Sequence, residues 1–141
     1  MFALIDSNHL RELISLTSAL GRRLRDRIKA SGAEVFVGIV VVEEAMQGWL
    51  ALLKRRAPGL AQVDVYARMQ ESLEAAVKLG VLPFDDDAAV IFAGLRRAFP
   101  QDGQMDLKIA AICLAHDMTL LTRDLGDFKD IPGLRVENWL D

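Results

Sequence analysis

The chain has 141 residues, of which 52% are hydrophobic and 26% are charged, and its formal net charge is −3. This length suits one compact domain with a real core, and the composition argues against disorder. No apolar stretch reaches the ~20 residues needed to cross a bilayer, and the single cysteine excludes internal disulfides and thiolate-rich zinc sites.

In chain order, the first half of the sequence predicts two strands, each followed by a helix. The apolar run 2–5 is typical of a buried parallel strand, and helical periodicity continues over 8–30. β-Branched and aromatic residues predict a second strand at 34–37, and a helix at 40–56 follows it. A further amphipathic helix covers 60–79, where a glycine ends it.

The second half of the sequence continues the alternation of strands and helices. A short edge strand is predicted at 81–84, because proline is tolerated at a sheet edge. Helices are predicted at 85–99 and 105–117, the first capped by its initial aspartate. Strands at 118–122 and 134–136 complete the pattern.

This alternation indicates an α/β fold, with a mostly parallel central sheet flanked by helices in a single domain over residues 1–141. In open parallel sheets, ligands gather at the carboxyl ends of the strands. Asp6 and Asp124 each follow a predicted strand and therefore lie at that edge. Asp6 alone would more often be the N-cap of the next helix.

Asp106 lies in the first turn of its predicted helix and shares a face with Ile109, Ala110 and Cys113. It is therefore expected to point inward, although a carboxylate there also favours the helix dipole. Lys108 projects away from that face and cannot easily neutralise it. A buried acid without a local partner invites a metal explanation.

Glu44 is the remaining acidic candidate, and its position on the helix favours it over its neighbour Glu43 as the side chain that faces the core. It lies three residues after Val41 and four before Gly48, whose missing side chain would allow another element to approach closely. From the pattern alone, Glu44 could equally be an early-turn glutamate that the helix dipole stabilises.

Four carboxylates in one pocket would require a cation, because each negative charge raises the pKa of its neighbours. The candidates are Asp6, Glu44, Asp106 and Asp124. Hard oxygen ligands suit Mg²⁺, with Mn²⁺ as the alternative, better than zinc. The residues therefore predict a magnesium or manganese site.

The same acids occur in blocks that resemble those of the PIN-domain ribonucleases, particularly the VapC-type toxins of bacterial and archaeal toxin–antitoxin pairs. The resemblance covers nearly the whole chain, and four acidic motifs in the right order are more specific than any one of them. The matching blocks are Leu4–Asn8, Val42–Gly48, Asp106–Ala111, Leu121–Phe128 and the closing strand at Ile131–Trp139.

The resemblance implies Mg²⁺-dependent hydrolysis of RNA phosphodiester bonds by an endoribonuclease. In that scheme Asp6 and Asp106 hold the metal, and Glu44 with either Asp124 or Asp127 approaches it through water. Asp124 is favoured over Asp127 as the fourth acid because it is nearer the strand end. No nucleophile from the protein is required.

Three polar residues are secondary candidates beside these acids. Ser7 and Thr122 could bond to a carboxylate, a coordinated water or phosphate, and Asn8 could hold the loop. Each is equally credible as a turn or cap residue. Ser7 replaces the family's usual threonine and keeps a hydroxyl, whereas Met105 stands where many relatives have asparagine.

The resemblance also implies an RNA substrate, a cognate antitoxin, a homodimer and cytoplasmic residence without a membrane. A noncatalytic PIN-like module that binds protein or RNA is the alternative, and a phosphoacceptor receiver domain ranks lower because Asp6 ends its strand alone. The basic stretches 22–29 and 54–56 are interpreted first as solvated helix faces.

Other tempting residues receive plainer interpretations. His9 is predicted to occupy an early helix position with no catalytic role, and His116 to complement a helix C-terminus. Cys113 is predicted to be a small core residue. Trp49 and Trp139 are predicted to pack in a core or an interface rather than against bases.

Overall fold

The structure is a computed structural model that describes residues 1–141. Its five strands form one sheet in the order β3-β2-β1-β4-β5, and every neighbouring pair is parallel. This confirms the predicted α/β class and its parallel sheet. The strands are β1 (Phe2–Ile5), β2 (Glu34–Gly38), β3 (Val81–Leu82), β4 (Thr119–Leu121) and β5 (Arg135–Glu137).

Seven α-helices flank this sheet, with a single 3₁₀ turn at Leu60–Gln62 before the fourth. None of these helices is long and apolar enough to cross a membrane. The helices are α1 (Ser7–Ile14), α2 (Ala19–Ser31), α3 (Ile39–Lys54), α4 (Val63–Leu79), α5 (Asp86–Ala98), α6 (Gln104–Ala115) and α7 (Leu125–Phe128).

The single helix predicted over 8–30 is wrong, because the chain breaks it into α1 and α2. Ser15 is extended, and the Ser18 hydroxyl caps α2 by accepting a bond from the Gly21 backbone N–H at 3.0 Å. Arg25 donates to two carbonyls at the end of α1, at 3.0 and 3.2 Å. Both helices carry apolar residues toward one core, so the periodicity alone does not reveal the break.

The remaining differences from the predicted elements are smaller. The edge strand predicted at 81–84 has only two residues, since Pro83 cannot donate to a ladder. The segment after β4, which carries no predicted element, forms the short helix α7, with Phe128 only 2% exposed. That anchor fixes the path of the chain beside the predicted acidic edge.

The centre of the core lies on β1 and β4, which pair with each other in the middle of the sheet. Ala3, Leu4 and Ile5 are fully buried, as are Leu120 and Leu121. A strand covered by helices on both faces requires such a continuous apolar run. Because these two strands are rigidly packed, the residues that follow them are held in fixed positions.

Gly21 should be irreplaceable by alanine, because a Cβ there would lie 2.0 Å from the carbonyl oxygen of Glu12 in α1. We expect Gly21→Ala to lower the free energy of unfolding by about 1–3 kcal/mol through overpacking. Gly94→Ala is the matched control, since its Cβ would meet nothing within 4 Å. It should gain about 0.5–1 kcal/mol of helix propensity. Urea unfolding of both variants checks this, and equal stabilities would contradict it.

Candidate active site

Asp6 follows β1 and begins α1, so it lies at the carboxyl edge of the sheet, as predicted. Its backbone N–H donates to the carbonyl of Leu121 at 3.1 Å, which ties it to β4. Its Oδ1 accepts a bond from the backbone N–H of His9 at 3.3 Å. The helix-cap interpretation is therefore confirmed, and it does not conflict with a site role, because capping uses one carboxylate oxygen.

Glu44 lies early in α3 and is partly buried, whereas Glu43 is exposed, as the sequence predicted. The Ser7 hydroxyl donates to Glu44 Oε1 at 3.2 Å. Burial raises the pKa of Glu44; the Ser7 bond opposes this shift, and the nearby charge of Asp6 adds to it. The expected close approach at Gly48 is wrong: a Cβ there would meet nothing within 4 Å.

Asp106, in the first turn of α6, is the carboxyl on which the other acids converge. Burial raises its pKa to about 6, and the charges of Asp127, Glu44, Asp124 and Asp6 add to the shift in that order. Those acids come from three separate segments of the chain, since Asp124 and Asp127 share one. No basic side chain offsets this, since Lys108 extends over the ring of Phe92, with Nζ 5.8 Å from its centroid.

Asp124 and Asp127 both lie at this edge, but in different surroundings. The backbone N–H of Asp124 donates to Thr122 Oγ1 at 3.0 Å, and Asn8 donates to Asp124 Oδ2 at 3.3 Å. Asp127 lies on α7, and its charge acts on Asp106 more strongly than that of Asp124 does. No pattern in the sequence predicts α7, so the two acids could not be ranked by their influence on Asp106 from the sequence alone.

The three secondary candidates each contact one of the acids. Ser7 bonds to Glu44, while Asn8 and Thr122 both bond to Asp124. Thr122 is fully buried. Ser7 and Asn8 therefore orient carboxylates at the edge of the sheet, whereas Thr122 bonds to the backbone and has the turn role that was its alternative.

The donor set fits a hard divalent cation that keeps part of its water. No three His, Cys, Asp or Glu side chains lie close enough together to hold an ion at once. Mg²⁺ commonly binds through one or two carboxylates, with waters and substrate phosphates completing its octahedron. Asp6 and Asp106 can supply such carboxylates.

Two depressions flank the acids. A groove of about 790 Å³ extends away from Ser7 and Glu44 between α1, α3 and α4, with Leu10 and Trp49 among its lining residues. A smaller acidic pocket of about 290 Å³ lies on the side of Asp106. Neither follows from the sequence pattern, because each is formed by elements that are distant in the chain.

Two flanking residues have clear structural partners. Arg123 forms a bidentate pair with Asp141, at 3.1 and 2.7 Å, and does not bind a site acid. His9 occupies the predicted early position in α1, but its ring is fully buried beside Asp6. The signal for that proximity was available, because a side chain three residues after an N-cap lies next to the cap.

A protein-family model described as the PIN domain matches residues 3–134. Ribonuclease VapC2 of Rickettsia felis is 25% identical over 114 residues, which are 78% of this chain and 78% of that protein. Toxin FitB of Neisseria gonorrhoeae is 28% identical over 99 residues, or 67% of this chain and 68% of that protein.

Solved structures agree with that family match. VapBC2 from Rickettsia felis, bound to a DNA fragment from their promoter, has a chain with a TM-score of 0.75 and 21% identity, covering 99% of both chains. VapBC-5 from Mycobacterium tuberculosis, a member of the VapBC family of toxin-antitoxin systems, has a TM-score of 0.66 and 21% identity. It covers 97% of this chain and 98% of that one. At this identity the likeness shows the fold.

Asp106 should make the metal-free protein less stable as the pH rises. Its pKa is about 6 in the folded chain against an ordinary 3.8, so the folded state keeps a proton that the unfolded chain has lost. In EDTA, the free energy of unfolding should therefore decrease as the pH rises from the ordinary pKa of Asp106 to its pKa in the folded chain. Asp106→Asn removes this loss and should be more stable than wild type at about pH 8, by roughly 1 kcal/mol after allowance for solvent screening.

Urea unfolding in EDTA over a pH series measures this difference. Glu74→Gln, at an exposed acid on α4, is the control and should follow the wild type at every pH. Excess Mg²⁺ should reverse the ranking, because a cation stabilises only the ionised carboxylate. An Asp106→Asn variant less stable than wild type at alkaline pH in EDTA would contradict the electrostatic account.

Proposed function

Because the chain belongs to the PIN domain family, we propose that it is a metal-dependent endoribonuclease and the toxin of a toxin–antitoxin pair. Its relatives include a ribonuclease and a toxin by name. The observation that carries the proposal is the convergence of four other carboxylates on Asp106. Uncompensated acids at the carboxyl edge of a parallel sheet are suited to a divalent cation and a phosphate substrate.

Within this proposal, Asp6 and Asp106 bind Mg²⁺ or Mn²⁺ directly, and Glu44 with Asp124 or Asp127 binds through water. The bound cation supplies an activated water and stabilises charge on the scissile phosphate of RNA. The protein contributes orientation: Ser7 fixes Glu44, and Asn8 with Thr122 fixes Asp124. These three side chains are neutral, so they hold the acids without competing for the phosphate.

The thiol of Cys113 is not a suitable nucleophile for this reaction. Cys113 is fully buried in α6, and burial raises the pKa of its thiol to about 12. Its Sγ donates to the carbonyl of Met118 at 3.1 Å. A thiol held neutral in the core cannot attack a phosphodiester, so water is the nucleophile in this scheme.

We extend the proposal to the partners. A cognate antitoxin would mask the acids, and the groove that begins at Ser7 and Glu44 offers an apolar surface adjoining them. The proposal also includes a homodimer located in the cytoplasm, with residues 1–141 acting as one nuclease domain. Arg22 and Lys29 are exposed on α2 and could face RNA. Arg23, Arg25 and Arg27 instead contact Leu140, the end of α1 and Trp139.

Purified protein should cleave total cellular RNA in Mg²⁺ or Mn²⁺ after any copurifying antitoxin has been removed. Asp106→Asn should reduce cleavage by at least about 100-fold, because it removes a proposed metal ligand. EDTA should abolish the activity of the wild type. Gel analysis of the RNA measures both effects, with circular dichroism to verify folding.

Glu74→Gln is the matched control here as well, since it removes an exposed carboxylate on α4. Its activity should equal that of the wild type. Cation binding without cleavage of a broad RNA panel would instead favour the noncatalytic PIN-like binding module. In that case Asp106→Asn should still bind the module's ligand.

The fourth acid can be assigned by comparing Asp124→Asn with Asp127→Asn. We expect Asp127→Asn to weaken Mn²⁺ binding more, because the charge of Asp127 acts more strongly on Asp106. Free Mn²⁺ measured by electron paramagnetic resonance gives both affinities. A larger loss in Asp124→Asn would restore the assignment that the sequence favours.

A further inference from the structure

The ring of His9 is held in one tautomer by a contact from the other end of the chain. It is fully buried, and the backbone N–H of Trp139 donates to its Nε2 at 3.2 Å. A ring nitrogen that accepts a hydrogen bond must keep its lone pair. The proton of the neutral imidazole therefore lies on Nδ1.

That proton faces Asp6. The Nδ1 atom lies 3.5 Å from Asp6 Oδ1, and it is a buried polar atom without a hydrogen-bond partner in the protein. A buried donor that bonds to nothing is costly. A small rotation of the carboxylate toward Nδ1 would turn this contact into a charge-assisted bond, which is roughly twice as strong as a neutral one.

Both N–H groups of His9 approach the same oxygen of Asp6. The backbone N–H donates to Oδ1 at 3.3 Å, and the ring Nδ1 lies 3.5 Å from that atom. No hydrogen bond within the protein is made to Oδ2. Oδ1 is therefore the anchored oxygen of Asp6, and Oδ2 is the one free to bind a cation.

The ring of His9 cannot easily turn away from this arrangement. Trp139, which fixes it, is only 5% exposed, and the guanidinium of Arg27 covers its indole at 4.5 Å from the ring centroid. The indole N–H of Trp139 also donates to Glu137 at 3.3 Å. The segment after β5 thus holds the imidazole against Asp6 across 130 positions of sequence.

We propose that His9 is a positioning residue for Asp6: its Nδ1–H orients the carboxylate so that Oδ2 is presented to the divalent cation. The proposal rests on the metal-dependent function proposed above. It assigns a role to a histidine that the sequence interpretation left out of catalysis. Hydrogen-bonded supports of ligating carboxylates typically contribute 10–100-fold to metal affinity.

The tautomer can be tested without any metal. Protein labelled with ¹⁵N in its histidines should show His9 with a protonated Nδ1 and an unprotonated Nε2 in metal-free buffer, by long-range ¹H–¹⁵N correlation. His9→Asn identifies the resonance by its loss. The opposite tautomer, or a doubly protonated ring, would overturn the proposal.

Two amide variants separate positioning from plain packing. His9→Asn places an amide nitrogen near Nδ1 and keeps a donor toward Asp6, whereas His9→Gln places an amide oxygen near Nε2 and keeps an acceptor for Trp139. Each loses one of the two buried polar contacts of the ring, so their thermal midpoints should fall similarly. Mn²⁺ binding should weaken about tenfold in His9→Gln and stay near the wild-type affinity in His9→Asn.

Equal weakening in both variants, or wild-type affinity in His9→Gln, would overturn the positioning role. This result is distinct from failure of the ribonuclease proposal. Wild-type protein that binds Mn²⁺ more tightly than His9→Gln but cleaves no RNA would reject the ribonuclease and support His9 as the support of Asp6. Cleavage of RNA by a protein whose His9 carries its proton on Nε2 would support the ribonuclease and reject the role of His9.

Discussion

Repulsion between the carboxylates around Asp106 is the constraint that the rest of the structure satisfies. Burial and the charges of four other acids raise the pKa of Asp106, and each ionised neighbour makes the metal-free site less favourable. The carboxylates stay close together despite this repulsion because the backbone segments that carry them cannot move apart. The buried pair of β1 and β4 supplies that rigidity, because both strands are covered on both faces and bonded to each other.

The polar groups around the site orient the acids without neutralising them. Ser7 and Asn8 donate to carboxylates, Thr122 accepts from the backbone N–H of Asp124, and all three side chains are neutral. None of the ion pairs with arginine involves Asp6, Glu44 or Asp106. An arginine or lysine in their place would stabilise the empty site and compete with a cation. The negative charge is therefore left for a ligand to balance, which links the instability of the site to its binding capacity.

The sequence predicted what depends on local pattern. The continuous apolar run of β1 and the choice of Glu44 over Glu43 were confirmed, because burial on a strand or helix face follows the period of that element. The helix predicted over 8–30 was wrong, since two helices that pack on one core keep a common periodicity through the break between them. The role expected of Gly48 was wrong because it needed a neighbouring element that the fold does not place there.

What the sequence could not predict is set by contacts between distant segments. The strength with which Asp127 acts on Asp106 depends on α7, whose position depends on the burial of Phe128. His9 shows the same limit more sharply. Its spacing from Asp6 predicts that the two side chains meet, but its tautomer is fixed by the backbone of Trp139. A local pattern can therefore bring a histidine to a carboxylate, while only the closed fold decides which ring nitrogen carries the proton.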